Sequence, residues 1–296
     1  MPVLEISDLI IARDPVTGAR LPVRRDHVID QLTAAGDHRA ARIVARIPVR
    51  GEHLDPHAVD RLLVRVHTEL QRLTEELHMA QRFAELLVPL LDVLRAHGHR
   101  PRVVDIGCGL GYVVRSLAAS QVLGHDVDLV GADFNPALVA EATRLAALEN
   151  LPCTFVCQDA FALAEQATVY LSCGVLHHIP VDRLPDFFAA QHHAQAFVHY
   201  DIAATTLAPF GAWLFHRARM REPLGRHDGV ASARRAHPDD VLRAAARIDG
   251  MDTFLFEPPR HTNPFCASMR PVVGLAPALT AEFRTALGRR AKGLVR

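Results

Sequence analysis

The chain has 296 residues, 49% of them hydrophobic, enough for one large domain with an added segment around a sizeable core. Lysine plus arginine equals aspartate plus glutamate at 33 each, and this zero formal charge argues against a nucleic-acid surface or a polybasic membrane anchor. Apolar runs are short and the opening stretch carries Glu5 and Asp8, which argues against a signal peptide or a membrane span and leaves a cytoplasmic protein as the expectation.

The first 98 residues read as mostly helical. Arg25 to Arg46 is amphipathic, with Val28, Ile29, Leu32, Ile43 and Val44 as its apolar face. A longer pattern follows from His57 to His97, carried by Leu62, Leu63, Val66, Leu70, Leu73 and Leu77, then by Phe83, Leu86, Leu87, Leu90, Leu91 and Leu94. Pro89 is expected to kink or split it, and Gly98 with Pro101 to end it. From Arg102 the texture changes to short β-branched runs that alternate with helical ones. Strands are expected at Val103–Ile106, Val127–Ala132, Cys153–Cys157, Thr168–Ser172 and Ala196–Ile202, with later ones at Thr253–Glu257 and Val272–Leu275. Helices are expected at Gly111–Ala119, Pro136–Leu148 and about Asp182–His192. Between the fifth and sixth strands lies a stretch rich in Arg, His, Gly and Pro, then a helix opened by Pro238, Asp239 and Asp240. Strand–helix alternation implies crossover units and a parallel sheet. The expected organisation is a helical extension over 1–98 and an α/β domain over 99–296 with an insertion at about 203–236.

Chemistry enters at Val103-Val104-Asp105-Ile106-Gly107-Cys108-Gly109-Leu110-Gly111, where an apolar strand runs into a glycine-rich turn and a helix. Gly107 and Gly109 let backbone approach a ligand with no Cβ in the way, and Gly111 permits close helix–strand packing. Spacing narrows the ligand. A dinucleotide fingerprint needs G-x-G-x-x-G, and the sixth position counted from Gly107 is Tyr112. A phosphate-binding loop needs Gly-Lys-Ser/Thr, and no lysine lies nearby.

What remains is D-x-G-x-G-x-G, and here the sequence resembles the class I S-adenosylmethionine-dependent methyltransferases over about residues 100 to 275. The resemblance implies a Rossmann-like, seven-stranded, mostly parallel sheet flanked by helices, with S-adenosylmethionine as cofactor. It assigns Asp105 to ordering the turn and placing the ligand's amine, together with Gly107, Gly109 and Gly111. Asp133, ending the second strand, would accept from both ribose hydroxyls; alone, it also reads as a helix cap before Asn135 and Pro136. Asp159 would accept from the adenine amino group, with Ala160 beside it and Phe161 as an apolar wall. Ser172-Cys173-Gly174-Val175-Leu176-His177-His178-Ile179-Pro180 would lie beneath the methionine part, Cys173 included.

Methyl transfer is an in-line displacement, so the protein has mainly to position its reactants. A weakly acidic acceptor also needs a general base. Candidates above the fourth and fifth strands are His177, His178, His199, Tyr200 and Asp201. The expected set is His178 with Asp201, and Tyr200 lining the pocket; strand alternation turns His199 away from Tyr200. The segment Phe210 to Arg221 carries the single tryptophan, Trp213, and its arginines Arg219 and Arg221 suit a carboxylate or open solvent. Arg226, His227 and Asp228 before Gly229 read as a lid turn. Cys153 and Cys157 lack a second ligand pair, so no metal is expected. The five cysteines, an odd number, are expected to be reduced thiols.

The expected activity is methyl transfer to a small-molecule acceptor, in secondary metabolism, with no nucleic-acid or membrane partner and a homodimer left open. The alternative is a non-methylating use of the same cofactor, by intramolecular cyclisation or aminocarboxypropyl transfer, which releases methylthioadenosine.

Overall fold

The computed structural model describes every residue except 1–2, 15–16, 165, 258–267 and 296. Its parallel strands are β1 (Arg102–Ile106), β2 (Asp128–Asp133), β3 (Thr154–Cys157), β4 (Val169–Cys173) and β5 (Ala196–Ile202), followed by β6 (Asp252–Phe256), β7 (Met269–Leu275) and a short β8 (Leu294–Val295). They form one eight-stranded sheet in the order β8-β6-β7-β5-β4-β1-β2-β3. The chain therefore starts in the middle of the sheet, works outward to β3, and returns to the other side at β4. Pairing is parallel from β3 through β5, while β7 runs antiparallel to both β5 and β6. β8 adds an antiparallel edge that the sequence reading of seven strands lacks.

Both faces are covered, as an apolar β1, β4 and β5 demand. One face carries α1 (Met79–Ala96), α2 (Tyr112–Ser120) and α6 (Pro277–Leu287); Phe83, Leu87, Leu90, Val198, Tyr200, Val273 and Phe283 are buried in a single cluster there. The other carries α4 (Leu184–Ala189) and α5 (Asp239–Ala245), around Val104, Tyr170, Phe187, Phe188, Phe197 and Val272. Between β2 and β3 runs α3 (Pro136–Leu148), capped by the Asn135 side chain, which accepts from the Ala137 amide.

The helical pattern from 57 to 97 breaks at His78, not at Pro89. The helices are Pro56–Glu76 and α1, His78 takes a left-handed φ of 52°, and Pro89 is buried inside α1. Likewise Arg25 to Arg46 is two helices, Arg25–Ala34 and His38–Val44, the second capped by Asp37.

Two compact units divide the chain, residues 1–70 with 205–235, and 71–204 with 236–296. This differs from a boundary at 98, because α1 joins the sheet unit through its apolar face. In the helical unit the segment after β5 forms helices Ala208–Arg219 and Pro223–Arg235. A Cβ at Gly229 would stand 2.1 Å from the His216 ring, so glycine there allows the two helices to meet. Arg226, His227 and Asp228 lie within the second helix and form no lid turn. Asp228 accepts from the amides of Ile6 and Ser7 at 2.9 and 2.8 Å. The His227 ring bridges Asp228 and Asp37, 2.7 Å from each.

Candidate functional site

The glycine-rich turn follows β1 directly. Gly107, Gly109 and Gly111 have φ values of 68°, 56° and 70°, which side chains resist. The turn is fastened to β2: the amides of Gly107 and Cys108 donate to the Ala132 carbonyl at 2.7 and 3.0 Å. A Cβ on Gly107 would come within 2.6 Å of Val175, and one on Gly111 within 2.2 Å of Phe155. The loop after β4 and a side chain of β3 thus press against the turn from two sides.

Two buried carboxylates surround it. Asp105 is 2% exposed, and its Oδ1 is buried with no hydrogen-bond partner among the described residues. Burial pushes its carboxyl well above the usual range, and the neighbouring Asp133 carboxylate adds repulsion. Asp133 accepts from the Gly109 amide at 2.9 Å and from the Asn135 amide at 2.8 Å. Each carboxylate oxygen has a further lone pair, so these bonds leave acceptor capacity. The helix cap is Asn135 and not Asp133, which steadies the cap and the glycine turn together. Asp159 is exposed after β3 and accepts from the Phe161 amide at 2.9 Å, forming the turn that contains Ala160. The Arg183 guanidinium lies over the Phe161 ring, 4.6 Å from its centre. Burial pushes the Cys173 thiol up, with Asp105 and Asp201 adding to it.

These groups fit a ligand that carries positive charge and hydroxyls. A buried, unpartnered carboxylate oxygen is costly unless something donates to it. An ammonium or sulfonium bound beside Asp105 and Asp133 would supply what the protein leaves out. Cys266 lies outside the described residues, and Cys108, Cys153, Cys157 and Cys173 are free thiols.

Beyond β4 and β5 the arrangement departs from the expected one. Strand alternation splits β5 into two sets. Tyr200 points to the α1 face, stacked edge-on with Phe83 at 4.8 Å between ring centres, beneath the Arg82 guanidinium. It therefore does not line a pocket with Asp201. Burial pushes its phenol up. His199 and Asp201 take the other face. His199 is sealed between Ser172 and Gln191, at 2.8 Å from each, and burial lowers its pKa to about 3. Its Nε2–H donates to Oε1 of the Gln191 side-chain amide, which leaves Nδ1 to accept from the Ser172 hydroxyl.

Asp201 pairs with His177 and not with His178. His177 Nδ1 lies 2.7 Å from Asp201 Oδ1, and the His177 amide donates to Oδ2 at 2.9 Å. The Ile202 amide donates to Oδ1 as well, at 2.6 Å. Burial alone would raise the Asp201 carboxyl, but the adjoining His177 ring and these hydrogen bonds hold it below the usual range. His178 is exposed, its ring 4.3 Å from that of His177. The turn Leu176–His178 is held by His237, whose Nε2–H lies 3.0 Å from the carbonyls of both Leu176 and Ile179. Nothing in the sequence marks His237 for this role, because its partners lie some 60 residues away.

A polar cleft of about 460 Å³ opens at the amino-terminal edge of β1, β2 and β4, lined by Arg100, Arg102, Asp128, Thr168 and His193. It contains none of the motif residues, and lies opposite to the strand ends where an open α/β sheet binds ligands.

Residues 103–195 match a family described as a methyltransferase domain. No curated protein matches the chain. Among solved structures, the plantazolicin methyltransferase BamL, in complex with a triazolic desmethylPZN analog and SAH, aligns at 10% identity and a TM-score of 0.52, over 73% of this chain and 96% of that one. Magnesium protoporphyrin IX methyltransferase from Synechocystis PCC 6803 aligns at 18% identity and a TM-score of 0.45, over 85% of this chain and 99% of that one. With the sheet order, the glycine turn and its paired carboxylates in place, the chain carries a class I S-adenosylmethionine-dependent methyltransferase domain.

Proposed function

We propose that the protein transfers the methyl group of S-adenosylmethionine to a small-molecule acceptor. One observation carries the placement of the donor: the buried Asp105 oxygen that no described residue satisfies, beside a second buried carboxylate at the glycine turn. In this reading Asp105 holds the ligand's amine, and the Gly107–Gly109–Gly111 turn leaves room for its backbone approach. Asp133 takes the ribose hydroxyls with its remaining lone pairs. Asp159 and Ala160 meet the adenine, and Cys173 lies under the methionine arm. Bound there, the cofactor supplies a methyl group on a positively charged sulfur. The residues after β4 and at the end of β5 face the acceptor.

A small acceptor agrees with the balanced charge, which offers no basic surface for a nucleic acid. It also agrees with Ser172-Cys173-Gly174-Val175 after β4, where many base- and amide-modifying enzymes of this type carry N/D-P-P-Y/F. No helix among the described residues is long and apolar enough to cross a membrane.

The test is mass spectrometry of the nucleoside formed from S-adenosylmethionine, with and without a small-metabolite extract. Extract-dependent S-adenosylhomocysteine is expected, with the labelled methyl on an acceptor from the extract. Acceptor-independent methylthioadenosine above the enzyme-free control would replace methyl transfer by cyclisation or cleavage of the cofactor.

A further inference from the structure

Resting on the methyl-transfer reading, we propose that His177 is the general base, that Asp201 positions it, and that the acceptor is a group that must be deprotonated to react, a hydroxyl or an ammonium. The geometry follows from which ring nitrogen is used. A carboxylate only accepts, so the Asp201 oxygen 2.7 Å from His177 Nδ1 requires the proton to sit on Nδ1. The neutral ring then presents the lone pair of Nε2 as its basic site. Asp201 is in turn locked by the amides of His177 and Ile202, so it has no freedom to leave the ring. His237 clamps the short helical turn from behind through two carbonyls. Both dyad members are buried, at 6% and 3% exposure, whereas His178 is exposed.

The dyad also stands beside the donor site. The same loop that carries His177 presses Val175 against Gly107 of the glycine turn. Gly174, with a φ of 70°, makes the bend that allows this, and its amide donates to the Tyr200 carbonyl at 2.8 Å. A base so constrained is useful only if the acceptor must lose a proton. A carboxylate arrives already ionised, and a thiol titrates near enough to neutrality to supply its own anion. A hydroxyl and an alkylammonium, with pKa values of about 10 or more, do not.

The step balances as follows. As the acceptor oxygen or nitrogen forms its bond to the methyl carbon, the carbon–sulfur bond breaks and its electron pair stays on sulfur. The proton that the acceptor loses passes to His177 Nε2, and the imidazolium so formed is countered by the Asp201 carboxylate until the proton leaves to water.

Two readouts test this, and the first needs no acceptor. Nitrogen NMR of the labelled imidazoles, with His177 assigned by its loss in His177→Gln, should show the proton on Nδ1, and Asp201→Asn should move or mix that tautomer. A wild-type ring protonated only at Nε2, or one indifferent to Asp201→Asn, overturns the proposal. The second follows the labelled methyl from the extract assay. It should appear on a hydroxyl oxygen or an amine nitrogen, and His177→Gln should lower turnover at least a hundredfold, more than His178→Gln does, with S-adenosylhomocysteine affinity within threefold of wild type. Transfer to sulfur, carbon or a carboxylate overturns the acceptor class. Transfer at the wild-type rate in His177→Gln overturns the base. Either result leaves methyl transfer standing, whereas methylthioadenosine formation would instead defeat the reading on which the dyad rests.

Discussion

Asp105 and Asp201 are the same residue type at the carboxyl ends of two strands in one sheet, 2% and 3% exposed, and their surroundings treat them in opposite ways. Around Asp201 the protein supplies two amides and an imidazole, so its carboxylate stays ionised despite burial. Around Asp105 it supplies a second carboxylate and, among the described residues, no partner for one oxygen, so burial and repulsion push the carboxyl up. Burial therefore does not decide the fate of an acid; the donors arranged around it do. The satisfied acid belongs to a rigid device finished by the protein, and the unsatisfied one is where we propose that a cationic ligand completes the structure.

Breaking the satisfied side has the largest expected effect. Asp201→Ala strands two amides and an imidazole N–H in a buried site, and should cost on the order of 3 kcal/mol in urea denaturation. Asp201→Asn should cost clearly less. On the unsatisfied side, Asp133→Ala should weaken S-adenosylhomocysteine binding by about tenfold or more, ~1.4 kcal/mol by calorimetry. Unchanged affinity would remove the ribose assignment. Asp105→Asn should do something no Asp201 variant does: raise the melting temperature of the ligand-free protein by about 2 °C while shrinking the further rise on adding ligand.

The smallest effect lies in the helical unit. Both His227 nitrogens face carboxylate oxygens, of Asp37 and Asp228, so both must carry protons. Burial lowers the His227 pKa, but these two acids outweigh it and the net shift is upward. The ring therefore binds its proton more tightly in the folded state. Its contribution to stability is fully present below the ordinary imidazole value of 6.5 and fades as pH rises through the higher folded value. His227→Gln should flatten the pH dependence of melting in that window; an unchanged slope would show that the bridge does not titrate there.

The parts of this molecule that could be read from sequence are those written locally. The strand, glycines and helix around Asp105 form a contiguous motif, and each acid proposed to meet the cofactor follows a strand in order. The choice between His177 and His178 is different. Both sit in a single short turn, and which ring meets Asp201 depends on how that turn lies over β5. Tyr200 was accessible by period-two reasoning, since neighbours on a strand point to opposite faces. Grouping it with Asp201 ignored the same alternation that separates it from His199. The helical unit was least accessible, because it joins residues 1–70 to 205–235 through pairs such as Ile6 with Asp228, 222 positions apart.

The most direct test of the contrast between the two aspartates is calorimetric titration of S-adenosylhomocysteine into wild type, Asp105→Asn and Asp201→Asn. The account predicts affinity at least about tenfold weaker for Asp105→Asn, a difference of ~1.4 kcal/mol, and within threefold of wild type for Asp201→Asn. If Asp201→Asn loses as much binding as Asp105→Asn, Asp201 belongs to the cofactor site and the division between a ligand-completed acid and a protein-completed one is wrong.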